Sequence, residues 1–454
     1  MTELAFLTLF LGLVSGVQPV AVSVVGDISR LELSVDGKPF ATLQQPPWRA
    51  TVDFGPQLLP HTLSARALDA EGKELARTVQ WINLPRPAAE VELQLERDPA
   101  GVPRAARLVW QNLTGEAPQK ISVSLDGRPL AQANRRVELP AVDPSLPHVL
   151  SAELRFGSGV VARRDAAFGG DLGTELRTEI TAVPVRLPGR PKPEATVPQN
   201  ALLLRGAPAA ISASELGAAR LVVVRDPTAL APLLRLVNRG GVVVNGSRGR
   251  LTPSFPSGGS PGDVPLDPHL TLRFLWPQAA ARGTSLGGER SALKLFDGSR
   301  EFGAADGKLF WLLTHVLEPG ASDRKPQIAD ALAVAGLQAL GGNGRRAVLL
   351  LLGGEPDDPS QYEGARIVEY LRAVHVPLFV WRLEHRRRGG RPSPWGEGEY
   401  LGTPSALAAA AAQLDRELSR QRVAWIDGAH APSEIALAPA ALAAGLRFAG
   451  EDME

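Results

Sequence analysis

AVLLLLGGEPDDPSQYEGARIVEYLRAVHVPLFVWRL, residues 347–383, decides how the chain is read. Its opening AVLLLL and closing VPLFVWRL are apolar without alternation, the pattern of strands buried on both faces. Between them GARIVEYLRAV spaces its apolar residues three and four apart, the period of an amphipathic helix. Strand, helix and strand in that order make a βαβ unit, which requires a parallel sheet. Further outward, LVVV at 221–224, LTLRFLW at 270–276 and VAWI at 423–426 are also continuous runs, with helical patterns such as ALAPLLRLV, QIADALAVAGLQAL and SALAAAAAQLDRELSRQ around them. These five runs predict an α/β doubly wound domain over 217–454, ending in a C-terminal extension. Such sheets bind ligands at the carboxyl ends of their strands, so 225–228, 353–358 and 384–390 are the segments to inspect.

The amino-terminal half has a different period. ISRLELSVDGKPFATL at 28–43 alternates apolar and polar residues around Asp36-Gly37, a dipeptide suited to the positive φ angles of a tight hairpin. LPHTLSARALDAEG at 59–72 continues the pattern, with Leu63, Ala65 and Ala67 inward and Trp48 and Trp81 expected between the sheets. Both segments recur: ISVSLDGRPLA at 121–131 and LPHVLSAELRFGSG at 146–159 follow at offsets of about 90 residues, the size of an immunoglobulin-like sandwich. The fold class is therefore multidomain: two all-β immunoglobulin-like sandwiches, 18–86 and 87–170, then the α/β domain. GGDLGT at 169–174 is read as the end of the second sandwich, and 171–216 as one strand plus a Pro-rich linker. His61 and His148 fall at equivalent positions of the repeat and read as structural turn residues.

Composition narrows the role. Of 454 residues, 49 are Lys or Arg and 48 Asp or Glu, leaving a net charge of +1, which excludes a highly charged disordered chain and speaks against nucleic-acid binding. With no cysteine there is no disulfide, thiolate nucleophile or Cys-held zinc. LAFLTLFLGLV at 4–14 is too short to span a bilayer and has the length of a signal-peptide core, with small residues following. Residues 1–17 are read as a signal peptide, which implies export to the periplasm, cell surface or medium; the alternative is a buried first strand. No other segment is expected to cross a membrane.

ADALAVAGLQALGGNGRRAVLLLLGGEPDDPSQYEGARIVEYLRAVHVPLFVWRL at 329–383 resembles the second half of a von Willebrand factor type A domain, in which a D-A-[IL] helix leads to a hydrophobic strand, a D-G-E-like loop, a helix and a V-P-[LV]-[FY]-V strand. ARLVVVRDPTALAPLLRLV at 219–237 resembles that family's first strand and helix, which carry D-x-S-x-S. With two immunoglobulin-like units ahead of it, the chain is most similar to the bacterial, acidobacterial-type von Willebrand factor A-related family. The resemblance implies a metal-ion-dependent adhesion site, where a hard cation is held by oxygens from several loops. Asp226 matches the first Asp and Thr228 a hydroxyl position. Leu230 replaces the second Ser, Pro326 the threonine before the D-A-[IL] helix, and Gly353 the loop Asp. The site is degenerate: no cofactor is expected, Mg²⁺ being the alternative that nearby Glu355, Asp357 and Asp358 leave open.

Other motifs carry less. Gly342 to Ala347 spells G-x-G-x-x-A, but it runs from helix to strand, opposite to a dinucleotide loop. Asn245 to Gly249 lacks the first glycine of a nucleophile elbow. Arg386, Arg387 and Arg388 lie beside His385, where they could meet an acidic partner or simply be solvated. Trp276, Trp311, Trp381 and Trp425 are expected in the core. The resulting expectation is a non-enzymatic exported protein binding another protein through the loops of Asp226, Thr228, Gly353, Glu355, Asp357, Asp358 and Arg386 to Arg388. The alternatives are a hydrolase using Asp226 and Glu355 as paired carboxylates, or a purely structural envelope component.

Overall fold

The computed structural model describes residues 2–8, 10, 12–85, 89–98, 102–112, 117–131, 135–143, 146, 148–156, 161–169, 172–176, 180–239, 264–279, 296–317, 325–354, 356–385 and 393–451. The chain divides into two compact units, one of Met1–Pro85, Ala182–Ile426 and His430–Glu454, the other of Arg86–Thr181 and Asp427–Ala429.

The first unit begins with a two-sheet sandwich. One sheet runs Lys38–Leu43, Arg30–Val35, His61–Leu68, Glu74–Ile82; the other runs Glu3–Phe6, Val17–Val25, Arg49–Asp53. Alternation places Leu31, Leu33, Leu63 and Ala65 between the sheets against Val20, Val52 and Phe54. Asp36 and Gly37 take φ of 50° and 75°, as their hairpin requires. Trp48 packs against this core. Trp81 does not: its strand neighbours Gln80 and Ile82 are buried, so the period of two turns the indole outward.

The stretch expected as a signal peptide is part of this sandwich. Glu3–Phe6 pairs antiparallel with Val17–Val25, Phe6 opposite Val22, and Phe6 and Leu13 are buried. The sandwich therefore starts at residue 3 rather than 18.

The second unit repeats the design. Its larger sheet runs Arg128–Leu130, Lys120–Leu125, His148–Arg155, Val161–Gly169, Leu172–Leu176; its smaller one runs Arg136–Glu138, Pro103–Asn112, Ala89–Arg97. Ala89–Arg97 holds the place that Glu3–Phe6 holds in the first sandwich. Asp126 and Gly127 again take positive φ, 51° and 77°. The last strand lies beyond Gly169, so GGDLGT does not end the domain but turns it into one further strand.

The expected Pro-rich linker is instead one side of a small β module closed by the end of the chain. One sheet runs Ile211–Glu215, Gln421–Asp427, Ile180–Arg186, Arg447–Phe448; the other runs Ala207–Pro208, Leu202–Leu204, Ile435–Leu437. Val197 and Ala201 sit in its core with Val185, Ile426 and Phe448. The buried Arg422 guanidinium donates to the carbonyls of Lys192 (2.5 Å) and Ala195 (2.7 Å), which anchors the Pro-rich run. VAWI belongs here, antiparallel to Ile211–Glu215, and not in the parallel sheet.

The other four apolar runs lie side by side as predicted. The six-stranded sheet runs Phe296–Gly298, Leu270–Ala279, Ala219–Arg225, Arg345–Leu352, Leu378–Arg382, Glu399–Tyr400, all parallel except the first, which is antiparallel to its neighbour. The helices are α1 (Leu230–Arg239), α2 (Leu309–His315), α3 (Ile328–Leu340), α4 (Gly364–Ala373), α5 (Pro404–Arg420) and α6 (Pro439–Ala443). Helices α1, α2 and α5 cover the face of Leu221, Val223 and Leu349. Helices α3 and α4 cover the opposite face, of Val222, Val224 and Leu350. Both faces being covered, every residue of Arg345–Leu352 is buried, which is why its sequence does not alternate. Trp276 and Trp381 are core; Trp311 on α2 is 38% exposed, and half-buried Trp425 donates to Glu215 at 3.3 Å.

Candidate functional site

Numbered along the chain from Ala219–Arg225, the strands of this sheet stand in the order 3-2-1-4-5-6, the usual doubly wound arrangement. The order reverses between Ala219–Arg225 and Arg345–Leu352, and their carboxyl ends carry Asp226 and Gly353. Sequence and topology thus agree on where to look.

Asp226 is 1% exposed. Its carboxylate accepts the Thr228 hydroxyl at 2.5 Å, the Thr228 amide at 3.2 Å and the Gly353 amide at 3.2 Å. It caps the single 3₁₀ turn Pro227–Ala229 that leads into α1, the role short acidic side chains take before a helix. Gly353 is forced by the same corner: a Cβ there would lie 2.4 Å from the Thr228 backbone. Asp226, Thr228 and Gly353 therefore come together, as a closed hydrogen-bonded corner between adjacent strand ends.

The acidic loop goes elsewhere. Asp358 accepts the amides of Ile328 (2.9 Å) and Ala329 (3.0 Å) in the first turn of α3, where the helix dipole favours a carboxylate. Asp330 of α3 reciprocates by accepting the amides of Gln361 and Tyr362. Asp358 is thus a clip between α3 and the chain entering α4, not a solvated loop residue. Asp357 is exposed and pairs with Lys325 at 2.5 Å, a contact worth little in water. Glu355, Arg386, Arg387 and Arg388, like Asn245 to Gly249, lie outside the described residues.

Two arginines that were not among the candidate binding residues complete this face. Arg225, fully buried, donates to the carbonyls of Leu313 (2.7 Å) and Val316 (2.9 Å) and lies 4.9 Å from the Trp276 ring centre, tying the end of α2 to the sheet. Arg382 donates to the Glu397 carbonyl (2.7 Å), the Gly396 carbonyl (3.3 Å) and the Ser393 hydroxyl, tying down the following loop. Each directly follows an apolar strand run, and that placement is the signal that could have revealed them. Beside them His385 stacks on Tyr400, ring centres 3.6 Å apart, and Tyr400 is 42% exposed.

This arrangement does not fit an adhesion-type cation. A hard ion needs several free oxygens, whereas the Asp226 carboxylate already takes three donors, the Thr228 hydroxyl hydrogen points at it, and Gly353 brings no side-chain oxygen. Among the described residues no group of three or more His, Asp or Glu side chains is placed to hold a metal.

No protein-family model matches the chain, and no curated protein matches it. Solved structures share local likeness at low scores. Fibronectin(III)-like modules of Clostridium thermocellum CbhA are 16% identical, with a TM-score of 0.16, over 18% of this chain and 93% of that one. The central fibronectin-III array of RIM-binding protein is 13% identical, TM-score 0.23, over 34% of this chain and 64% of that one. SGBP-B of the Bacteroides ovatus mixed-linkage glucan utilization locus, solved with a mixed-linkage heptasaccharide, is 11% identical, TM-score 0.15, over 46% and 58%. The chain spans less than two thirds of the latter two. No helix among the described residues is long and apolar enough to cross a membrane.

Proposed function

We propose that the chain is a non-enzymatic, exported binding or scaffold protein that presents the carboxyl-end loops of a von Willebrand factor A-like sheet to another protein without a bridging cation. The observation that carries this reading is the closed corner at the switch point, where the Asp226 carboxylate is held by Thr228 and Gly353. A carboxylate held this way positions loops; as a general base it would need an open approach for substrate. Around it, buried Arg225 and Arg382 fix α2 and the 393–397 loop, giving a pre-ordered surface with Tyr400 exposed upon it. A preorganised face loses little entropy on binding, and apolar and Arg contacts are the usual anchors of protein interfaces.

The test is thermal melting of the whole chain in 1 mM Mg²⁺ against EDTA. The expected result is superimposable curves. A site with a micromolar Kd near 10 μM would stabilise the folded chain by about 2.7 kcal/mol at that excess, so a clear upward shift in Mg²⁺ overturns the cation-free reading. Export is tested separately, by cell fractionation, and recovery in the cytoplasmic fraction alone rejects it; N-terminal sequencing shows whether residues 2–17 are kept, and a mature start at residue 18 would reject the place of Glu3–Phe6 in the sandwich.

A further inference from the structure

We propose that the segment 12–16 and one face of α4 form a latch that holds the first sandwich in a fixed orientation over α3 and α4, and that loss of the latch contacts frees the sandwich to reorient.

The latch is spelled at a spacing of four. Tyr362, just before α4, and Arg366 and Tyr370 within it fall on one side of the helix, since residues four apart lie one turn above another. All three donate to the sandwich. The Tyr362 hydroxyl reaches the Leu13 carbonyl at 2.7 Å, Arg366 reaches the Ser15 hydroxyl at 2.8 Å and also the Pro56 carbonyl, and the Tyr370 hydroxyl reaches the Asn83 carbonyl at 3.1 Å.

On the sandwich side Asn83 gathers the chain. It is 3% exposed and takes φ of 59°, a left-handed conformation that asparagine tolerates better than most residues. Its side chain accepts the Val14 amide at 2.7 Å and donates to the carbonyls of Val14 (2.9 Å) and Leu59 (2.7 Å). One residue thus ties the 12–16 segment, the loop before His61–Leu68 and, through its own carbonyl, α4. Upstream, Thr8 is tied to the sandwich itself: its hydroxyl accepts the Ala21 amide at 3.0 Å, and its carbonyl accepts the Gln80 side chain at 3.2 Å.

Apolar burial supports the polar contacts. Leu13 and Leu58 are buried in the same cluster as Ile328, Ile367, Tyr370 and Leu371 of α3 and α4, with Leu84 packed against it. Burial pushes the hydroxyls of Tyr362 and Tyr370 above the ordinary phenol range, so both stay protonated donors. Removing the segment would take away one backbone carbonyl and one hydroxyl, leaving the Tyr362 hydroxyl without its acceptor and Arg366 with the Pro56 carbonyl alone. The latch would make the first sandwich a rigid pedestal for the proposed binding face; the latch itself does not depend on that function.

Because the chain has no cysteine, two can be introduced for spin labels without background, at exposed Lys38 in the first sandwich and Arg235 on α1. Pulsed dipolar spectroscopy on the otherwise intact full chain is expected to give one narrow distance. Adding Tyr362→Phe, Arg366→Ala and Tyr370→Phe together is expected to broaden it into several. A broad distribution in the intact chain, or a narrow one unchanged by the triple substitution, overturns the latch. Should circular dichroism show the triple variant unfolded, Ser15→Ala with Arg366→Ala is read by the same two criteria.

Discussion

The two sandwiches share a design down to single hydrogen bonds, yet they belong to different units. In each, the Asp of the Asp-Gly turn bonds a histidine at the start of the neighbouring strand: His61 Nδ1 to Asp36 at 2.8 Å, His148 Nδ1 to Asp126 at 2.7 Å. The other carboxylate oxygen accepts the next amide, Thr62 or Val149, at 2.8 Å in both. The two histidines are turn clamps. What differs is the decoration around this shared frame. The first sandwich carries Asn83, Leu13 and Leu58, and α4 supplies donors that match them. The second folds as a unit of its own. The repeated residues thus specify the sandwich, while unrepeated residues specify what it docks against.

Deleting residues 2–16 should break this difference most severely. Burial of Phe6 and Leu13 is worth about 2 kcal/mol each, and the deletion also exposes the Val17–Val25 edge and removes the acceptor of the Tyr362 hydroxyl. A total above about 5 kcal/mol is comparable to a domain's whole stability. Hydrogen exchange on the deleted chain should show lost protection in Val17–Val25 and α4, with His148–Arg155 unchanged. Equal protection everywhere would mean that the segment is a passive extension.

Asn83→Ala should be the next largest, about 3 kcal/mol, since it leaves Val14 and Leu59 backbone groups unsatisfied and puts alanine in a left-handed conformation that asparagine tolerates better. Asn83→Gly separates the two causes: it relieves the backbone but still loses the bonds. If chemical denaturation finds Asn83→Gly equal to the native chain, backbone conformation rather than bonding is what asparagine supplies there.

Much of this was legible in sequence where the controlling physics is local. Asp36-Gly37 and Asp126-Gly127 announce their turns because positive φ is a property of two residues. The four parallel runs announce themselves because burial on both faces removes alternation. VAWI misled because a continuous apolar run reads alike in a parallel sheet and in a small two-sheet module; only its partner Ile211–Glu215, some two hundred residues away, decides. The run at 4–14 is ambiguous in a similar way, since a signal-peptide core and a buried first strand followed by a packed segment have the same composition. Asp358 was legible as an acid but not as a helix clip, because the amides it serves lie thirty positions upstream.

The smallest expected effect sharpens the comparison at its most repeated point. In the second sandwich the hydrogen bond to Asp126, assisted by the Asp143 carbonyl, holds the His148 imidazole above its ordinary value of 6.5, and the same bond holds the Asp126 carboxyl below 3.8. A raised histidine stabilises the fold fully below about pH 6.5, and its contribution fades as pH rises through the folded value. A lowered carboxyl contributes above 3.8 and fades as pH falls through its own folded value. The pair therefore helps most between these limits and loses its histidine share on the alkaline side. His148→Gln should flatten the stability of the second unit as pH rises above 6.5, removing at most about 1 kcal/mol, the range of exposed ion pairs. His148 amide exchange and unfolding followed across that window give the measurement. A slope that survives in His148→Gln would assign the pH dependence to another group and leave the histidine a neutral hydrogen-bonding clamp.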